Sequence, residues 1–408
     1  MPLVMVLLIL ALNAAAGREL QEIKLTCVDA NAHGYATFQS HNQKVVANRQ
    51  GIFMTHLRSR NKAYNAQQWR LLRSQDGGKT FAVIHEATDP TNPPVIESDA
   101  DDNIYLIRPD FADRNAYLYR FRKTDNYGTP AISKIPGAAA GKYAMEIDSD
   151  RKQIYFLAHN GSFNVIGFDG TVKHGGKMLV QGPDAHPQYP HLQLDELGHL
   201  HAAWTNTKLG GKLYWDIRHL YSTNGGTSWQ SVTGQRVMTP IVCDRHGPSL
   251  QVTLKDEFEV STWLASMNAN LNKLHFFYLA RTEPPRHHHV RIDRRTAKRE
   301  VDRLSMKGKT LALHGADGFF VRNPGNKDLY LIGRGRQGHL VCLISRDNGD
   351  TWHDYAQSHG TFNAYSIGGC RKVTADGHII GSFTDQKGSN AINDQKSQVY
   401  FLRIKAAR

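Results

Sequence analysis

Ser74-Gln75-Asp76-Gly77-Gly78-Lys79-Thr80-Phe81, Ser222-Thr223-Asn224-Gly225-Gly226-Thr227-Ser228-Trp229 and Ser345-Arg346-Asp347-Asn348-Gly349-Asp350-Thr351-Trp352 are one pattern written three times: Ser, x, Asp or Asn, x, Gly, x, Thr or Ser, aromatic. The chemistry is that of a tight hairpin. The Asx side chain accepts from nearby backbone N–H groups, Gly takes a positive φ, and the aromatic packs beneath the turn. Repetition at this length implies that one structural unit recurs along the chain.

Working outward, a second repeat is an Asx/Gly turn leading into a β-rich run: Gly51 to Leu57, Asn103 to Arg108, Gln153 to His159, His199 to Trp204, Glu257 to Leu264, Asp328 to Gly333, and His378 to Phe383. Its spacing overlaps the roughly 40 to 50 residues of a four-stranded propeller blade and leaves room for insertions. The expected fold is therefore all-β: a β-propeller of seven four-stranded blades, with six or eight left open. One unit reads as strands at His41 to Ala47, Ile52 to Arg58, Trp69 to Arg73 and Phe81 to His85. The last unit, ending in Val399 to Ile404, lacks a strand, and the N-terminal Glu22 to Val28 is expected to supply it and close the ring, leaving no open edge.

The three segments resemble the Asp box, or BNR repeat, of sialidases and their relatives, at positions 74–81, 222–229 and 345–352. The middle copy departs in using Asn224 and Ser228, both of which keep the turn chemistry. The resemblance implies a turn between the third and fourth strands of a blade, on the face away from the active site, so these residues are expected to be structural.

The apolar run Leu3 to Leu12 followed by Asn13-Ala14-Ala15-Ala16 reads as a signal peptide over residues 1–16. It is too short to span a bilayer. Residues 17–408 then form one propeller domain, secreted or periplasmic and expected to be a monomer. The formal charge is +13, from 50 Lys+Arg against 37 Asp+Glu, and there are 21 His. An anionic partner is implied; an acidic polysaccharide is expected, and nucleic acid is not. The densest basic stretch, Arg286 to Arg299, reads as a solvated face. Cys27, Cys243, Cys342 and Cys370 show no CxxC spacing and are open to disulfide pairing; Cys243 and His246, three apart, could form half of a zinc site, and a buried core cysteine is favoured over a ligand. No cofactor is required, and a structural metal ion stays open.

In a propeller the ligand site lies over the central channel, where the first strand of each blade begins and the second ends. That rule collects His41 and His56, Arg108, His159, His186, Tyr189 and His191, His246, Arg334 and Arg371. His, Tyr and Arg dominate. These are the parts of a uronate polysaccharide lyase: a base takes the proton α to the carboxylate, a cation steadies the enediolate, and Tyr or His protonates the departing oxygen. His41, His56, Tyr189 and His191 are the expected catalytic residues. Arg108, His159, His186, His246, Arg334 and Arg371 are the expected substrate holders. In residue type the set is similar to the ulvan lyase type of propeller, which implies β-elimination on an acidic polysaccharide. A sialidase-like hydrolase and a noncatalytic glycan- or protein-binding propeller are the alternatives.

Overall fold

The structure is a computed structural model that describes residues 20–63, 66–89, 91–138, 141–182, 185–208, 214–242, 250–257, 260–303, 311–312, 317–335, 337–386 and 396–408. The expected signal peptide, Cys243 and His246 lie outside them. Among the described residues the regular structure is strand, with two 3-10 turns at Lys123–Asp125 and Lys255–Glu257. No described helix is long and apolar enough to cross a membrane.

The strands form successive antiparallel up-and-down sheets. The first runs Val45–Asn48, Gly51–Ser59, Gln67–Ser74, Ala82–Ala87, and the next Val95–Ser98, Ile104–Asp110, Asn115–Phe121, Ala131–Ile135. Strand bounds sit within a few residues of the sequence reading, but His41 falls in a turn before its strand. The innermost strands lie side by side in chain order: Val45–Asn48 against Val95–Ser98, then Tyr143–Asp148, Ala185–Leu194, Thr262–Asn270, Phe319–Arg322 and Ala364–Gly369. Pressed between neighbours, they bury both faces; every residue of Thr262–Asn270 is buried.

The sheets remain separate hydrogen-bonded units, with one exception. Lys24–Ala32 pairs antiparallel with Ser397–Lys405, and a single bridge, Ala32 to Arg58, joins that sheet to the first.

The three repeated turns bind their sheets to the preceding ones. Ser74 Oγ donates to Asp76 Oδ1 (2.8 Å) and accepts from Gly78 N (2.8 Å), and Thr80 Oγ1 donates to Asp76 Oδ2 (2.6 Å). Ser345, Asp347, Gly349 and Thr351 repeat this set, and Ser222, Asn224, Gly226 and Ser228 its amide version. Phe81, Trp229 and Trp352 each meet a ring of the previous sheet: Phe401 at 5.2 Å, Phe163 at 5.4 Å and His289 at 5.3 Å between centroids. Gly78 (φ 87°) lies so close to Phe401 that an added Cβ would stand 2.1 Å from its ring.

Two sequence expectations change. Arg286–Asp293 is a strand, not a solvated face; His288, His289 and Val290 are buried because the strand lies in the middle of its sheet, between Lys273–Ala280 and Arg299–Arg303. Cys342 and Cys370 are buried free thiols, so neither supports a disulfide framework. Each packs into the same apolar core, and burial pushes both thiols up, Cys370 to about 12.

Candidate active site

Tyr189 stands at an irregularity in the strand Ala185–Leu194. Gln188 pairs with Thr205 and pairing resumes at His191 with Ala203, so Tyr189 and Pro190 together oppose Trp204 alone. The extra residue is a β-bulge, a device that re-aims a side chain. Tyr189 takes φ 48°, the left-handed region that costs a non-glycine residue on the order of 1–2 kcal/mol. His191 fixes this conformation. Its Nδ1 lies 2.9 Å from the Tyr189 carbonyl and its Nε2 3.3 Å from the Ala265 carbonyl on the next inner strand. Burial pushes His191 down to about 4, so the ring is neutral and has one N–H. The shorter contact takes it, placing the proton on Nδ1.

Five more groups gather around Tyr189. His41 meets the Tyr189 ring edge-on at 5.6 Å and the His191 ring at 5.3 Å. It is buried, and neither of its ring nitrogens reaches a partner at hydrogen-bonding geometry. Lys142 Nζ stands 4.2 Å above the Tyr189 ring and donates to Gln188 Oε1. Gln188 Nε2 then lies 2.5 Å from His186 Nε2, which accepts. His159 Nδ1 accepts from the Lys142 backbone N–H (2.9 Å), and its ring lies 5.6 Å from that of His186.

The electrostatics of this cluster are set by burial. Burial, then the neighbouring His191 and Lys44, hold His41 well below the usual imidazole range. His159 is pushed down to about 4 by burial, aided by His186 and Lys142, and His186 is also lowered. Burial brings Lys142 down to about 8. Tyr189 is raised by burial and by Tyr214, Tyr365 and Asp317. Asp317, buried beneath Tyr365, is itself raised well above the carboxylate range by burial. At neutral pH the cluster is thus a protonated phenol among neutral imidazoles beside one ammonium, a set suited to moving protons.

The structure brings together His41, His159, His186, Tyr189 and His191. Arg334 is close by, its charge acting on Asp317 and its Nη1 bonding Asn363 Oδ1 (3.1 Å). The remaining candidates have other partners. His56 is fully buried, with Nε2 3.0 Å from Asp29 Oδ2. Arg108 donates to Tyr119 and Asp110, each at 3.0 Å, with Asp89 at 3.4 Å. Arg371 donates to Glu97 Oε1 (3.0 Å), Glu146 Oε2 and the Met145 carbonyl (3.1 Å).

Arg371 belongs to the other end of the inner strands. Glu146 lies four residues beyond Lys142, roughly 13 Å along the chain at about 3.3 Å per residue. A cavity of about 470 Å³ there is lined by Glu97, Glu146, Gln193 and Arg371. It shares Ala47, Ser98, Thr374 and Ala375 with a groove that reaches Ser74, Gln75 and Gly77 of the first repeated turn. The Arg371 end and the turns therefore occupy one face, and the Tyr189 cluster the opposite one.

Lys142, Gln188, Tyr214 and Asp317 were not foreseen. For Lys142 the signal was present: it immediately precedes the inner strand Tyr143–Asp148, where the rule that selected His186 and Tyr189 also applies. Among the described residues no three His, Cys, Asp or Glu side chains converge as a metal site would require.

No protein-family model and no curated protein matches the sequence. Solved structures do. A PL25 ulvan lyase bound to -[GlcA(1-4)Rha3S]- superposes with TM-score 0.66 at 10% identity, over 92% of this chain and 95% of that one. The polysaccharide lyase Uly1 gives 0.60 at 10% identity, over 97% and 94%. A protein of unknown function from Dyadobacter fermentans gives 0.52 at 12% identity, over 95% and 99%. The chain is a β-propeller. Identities this low carry the fold, and the propeller's chemistry has to be argued from its own site.

Proposed function

We propose that this propeller cleaves an acidic, uronate-containing polysaccharide by β-elimination at the Tyr189 end of its channel. In this reading it is a secreted or periplasmic monomer of seven blades, with Lys24–Ala32 completing the last, and its repeated turns are Asp boxes of the sialidase type. The observation that carries the reading is Tyr189 itself: a tyrosine held in a left-handed conformation at a bulge by a buried histidine, with neutral imidazoles around it. Strain alone recurs elsewhere in the chain, as at Asp216 and Ser366; at Tyr189 it coincides with a cluster of titratable side chains, which is what points to function. The ulvan lyase that shares the fold binds a uronate-containing chain, which supports the substrate class.

His41 takes the C5 proton on a ring nitrogen that meets no partner at full hydrogen-bond geometry, its one backbone contact being to Tyr143. The C4–O4 bond breaks with its electron pair going to oxygen, a C4=C5 double bond forms, and the Tyr189 phenol protonates O4. The raised Tyr189 keeps the phenol protonated for that step. The burial of His41 favours a second reading, in which the minor phenolate form of Tyr189 takes the C5 proton and, as the phenol so formed, passes it to O4.

Incubation with a panel of uronate polysaccharides, followed by ultraviolet absorbance, tests the proposal. An absorbance rise from the unsaturated uronate is expected. New reducing ends without that rise select a hydrolase, and binding without either selects a noncatalytic module. Full turnover in His41→Gln selects the tyrosine-only route.

A further inference from the structure

Two of the three arginines that the sequence offered for substrate carboxylates are engaged by acids, Arg108 by Asp110 and Asp89 and Arg371 by Glu97 and Glu146, while the third, Arg334, bonds Asn363. The cation beside Tyr189 is Lys142, half-buried at the edge of the cluster. From there an aromatic row leads outward. The Tyr189 and Tyr214 rings are 5.7 Å apart and Tyr214 and Trp263 5.4 Å, while Lys142 Nζ stands 5.3 Å from the Tyr214 ring. The row ends where the guanidinium of the exposed Arg281 lies 4.4 Å over Trp263.

We propose that the row Tyr189–Tyr214–Trp263, with Lys142 at one end and Arg281 at the other, is an extended binding track for an acidic oligosaccharide. The half-buried Tyr189 and Tyr214 rings accept the C–H faces of sugars, the buried Trp263 seats Arg281, and an ammonium and a guanidinium at the two ends accept acid groups on separate sugars. Arg281 is held by its stacking on Trp263, which leaves its N–H edges free to fork a carboxylate or sulfate. Lys44, the other nearby amine, has no such role; it is buried against the Gln39 carbonyl and Asn42, and burial holds it well below the usual lysine range. The track predicts that affinity grows with chain length beyond one acidic sugar.

The inference rests on the acidic-polysaccharide reading, and its test separates the two. Binding is measured on Tyr189→Phe, which keeps the ring and removes the phenol, so affinity is read without turnover. The probes are di-, tetra- and hexasaccharides of polyglucuronate and the carboxyl-reduced hexasaccharide. Arg281→Ala in that background is expected to weaken the hexasaccharide roughly 5- to 10-fold, about 1 kcal/mol or slightly more, and the disaccharide less than about twofold. Lys142→Met is expected to weaken all three acidic probes. Neither change should affect the carboxyl-reduced chain, and added salt should shrink the Arg281 effect. Hexasaccharide affinity unchanged in Arg281→Ala, an equal loss for the carboxyl-reduced chain, or no binding of any acidic probe overturns the track. Binding as expected, with no double bond formed by the unaltered protein, keeps the track and overturns the lyase.

Discussion

At one end of the channel Arg371 gives its guanidinium to Glu97, Glu146 and the Met145 carbonyl, and its backbone N–H to Gln43. At the other end, reached along the same inner strands, His41 is buried with both ring nitrogens unbonded, and Tyr189 is held in a strained backbone conformation. The first end ties together inner strands of several sheets through paired charges. The second leaves neutral, proton-carrying groups poised and under-satisfied. A fold that surrounds its buried cation with carboxyl groups at one mouth and leaves a buried imidazole without a full hydrogen bond beside a strained tyrosine at the other points to the other as the place to seek chemistry.

The largest expected effect tests that division at the Tyr189 end, where the chemistry is proposed. Tyr189→Phe removes one oxygen and should lower kcat on the order of 10³-fold, the range lost with a general acid. Its thermal midpoint should stay close to the parent's. If the midpoint falls together with activity, the phenol is serving the fold and the comparison fails.

At the paired end the loss should be in stability. Arg371→Met leaves two buried carboxylates facing each other and is expected to cost about 3–5 kcal/mol in denaturant unfolding. The pH dependence sharpens this. Burial, which outweighs the Arg371 charge, pushes Glu97 up to about 8, so the folded state holds a proton that the unfolded chain releases above the ordinary carboxylate value of 4.5. Stability from this group is therefore complete below about 4.5 and is lost as pH rises through 8. Glu97→Gln should flatten that slope. A slope of the opposite sign would mean that Glu97 is ionised and held by Arg371.

Much of the fold was legible because it is local. Ser74, Asp76, Gly78 and Phe81 specify a turn within eight residues, and that turn recurs with the same hydrogen bonds at 222–229 and 345–352. The site was half legible. His186, Tyr189 and His191 are neighbours in sequence, and His41 and His159 followed from their places on their strands. Arg371 was misplaced because sequence gives the strand but not the depth: it follows Ala364–Gly369 and so emerges at the far mouth. Arg108 was plausible until Asp89, Asp110 and Tyr119 were seen to surround it. Its pairing with Asp89 depends on a contact between separate strands, which no local pattern encodes.

A third effect, smaller again, separates the repeated turns from the catalytic mouth. Gly78→Ala places a methyl against Phe401 at a φ of 87°, and is expected to cost about 2–4 kcal/mol through strain and overpacking. Residual folded protein should turn over at the parent's rate. Reduced kcat in the folded fraction would couple the two faces that the structure keeps apart.

The smallest expected loss of stability comes from one of the two histidines that one strand rule placed together. His41 has open nitrogens next to Tyr189, whereas His56 Nε2 bonds Asp29 Oδ2, with Arg58 and Arg70 each 3.6 Å from the same oxygen. Burial alone would raise Asp29, but the His56 hydrogen bond and charge, with Arg58, outweigh it and lower it. A lowered carboxylate contributes stability that is present above its ordinary value of 3.8 and lost as pH falls through its folded value. His56→Gln should therefore cost about 1–2 kcal/mol at neutral pH, as expected for weakening a buried charge-assisted hydrogen bond, and less as acid protonates Asp29. Turnover should remain within about threefold of the parent's, the change expected when no transition-state contact is lost. A loss of kcat from His56→Gln matching that from Tyr189→Phe would put His56 in the chemistry, and the Asp29 pair would then be orienting a catalytic imidazole instead of bracing the join between the last sheet and the first.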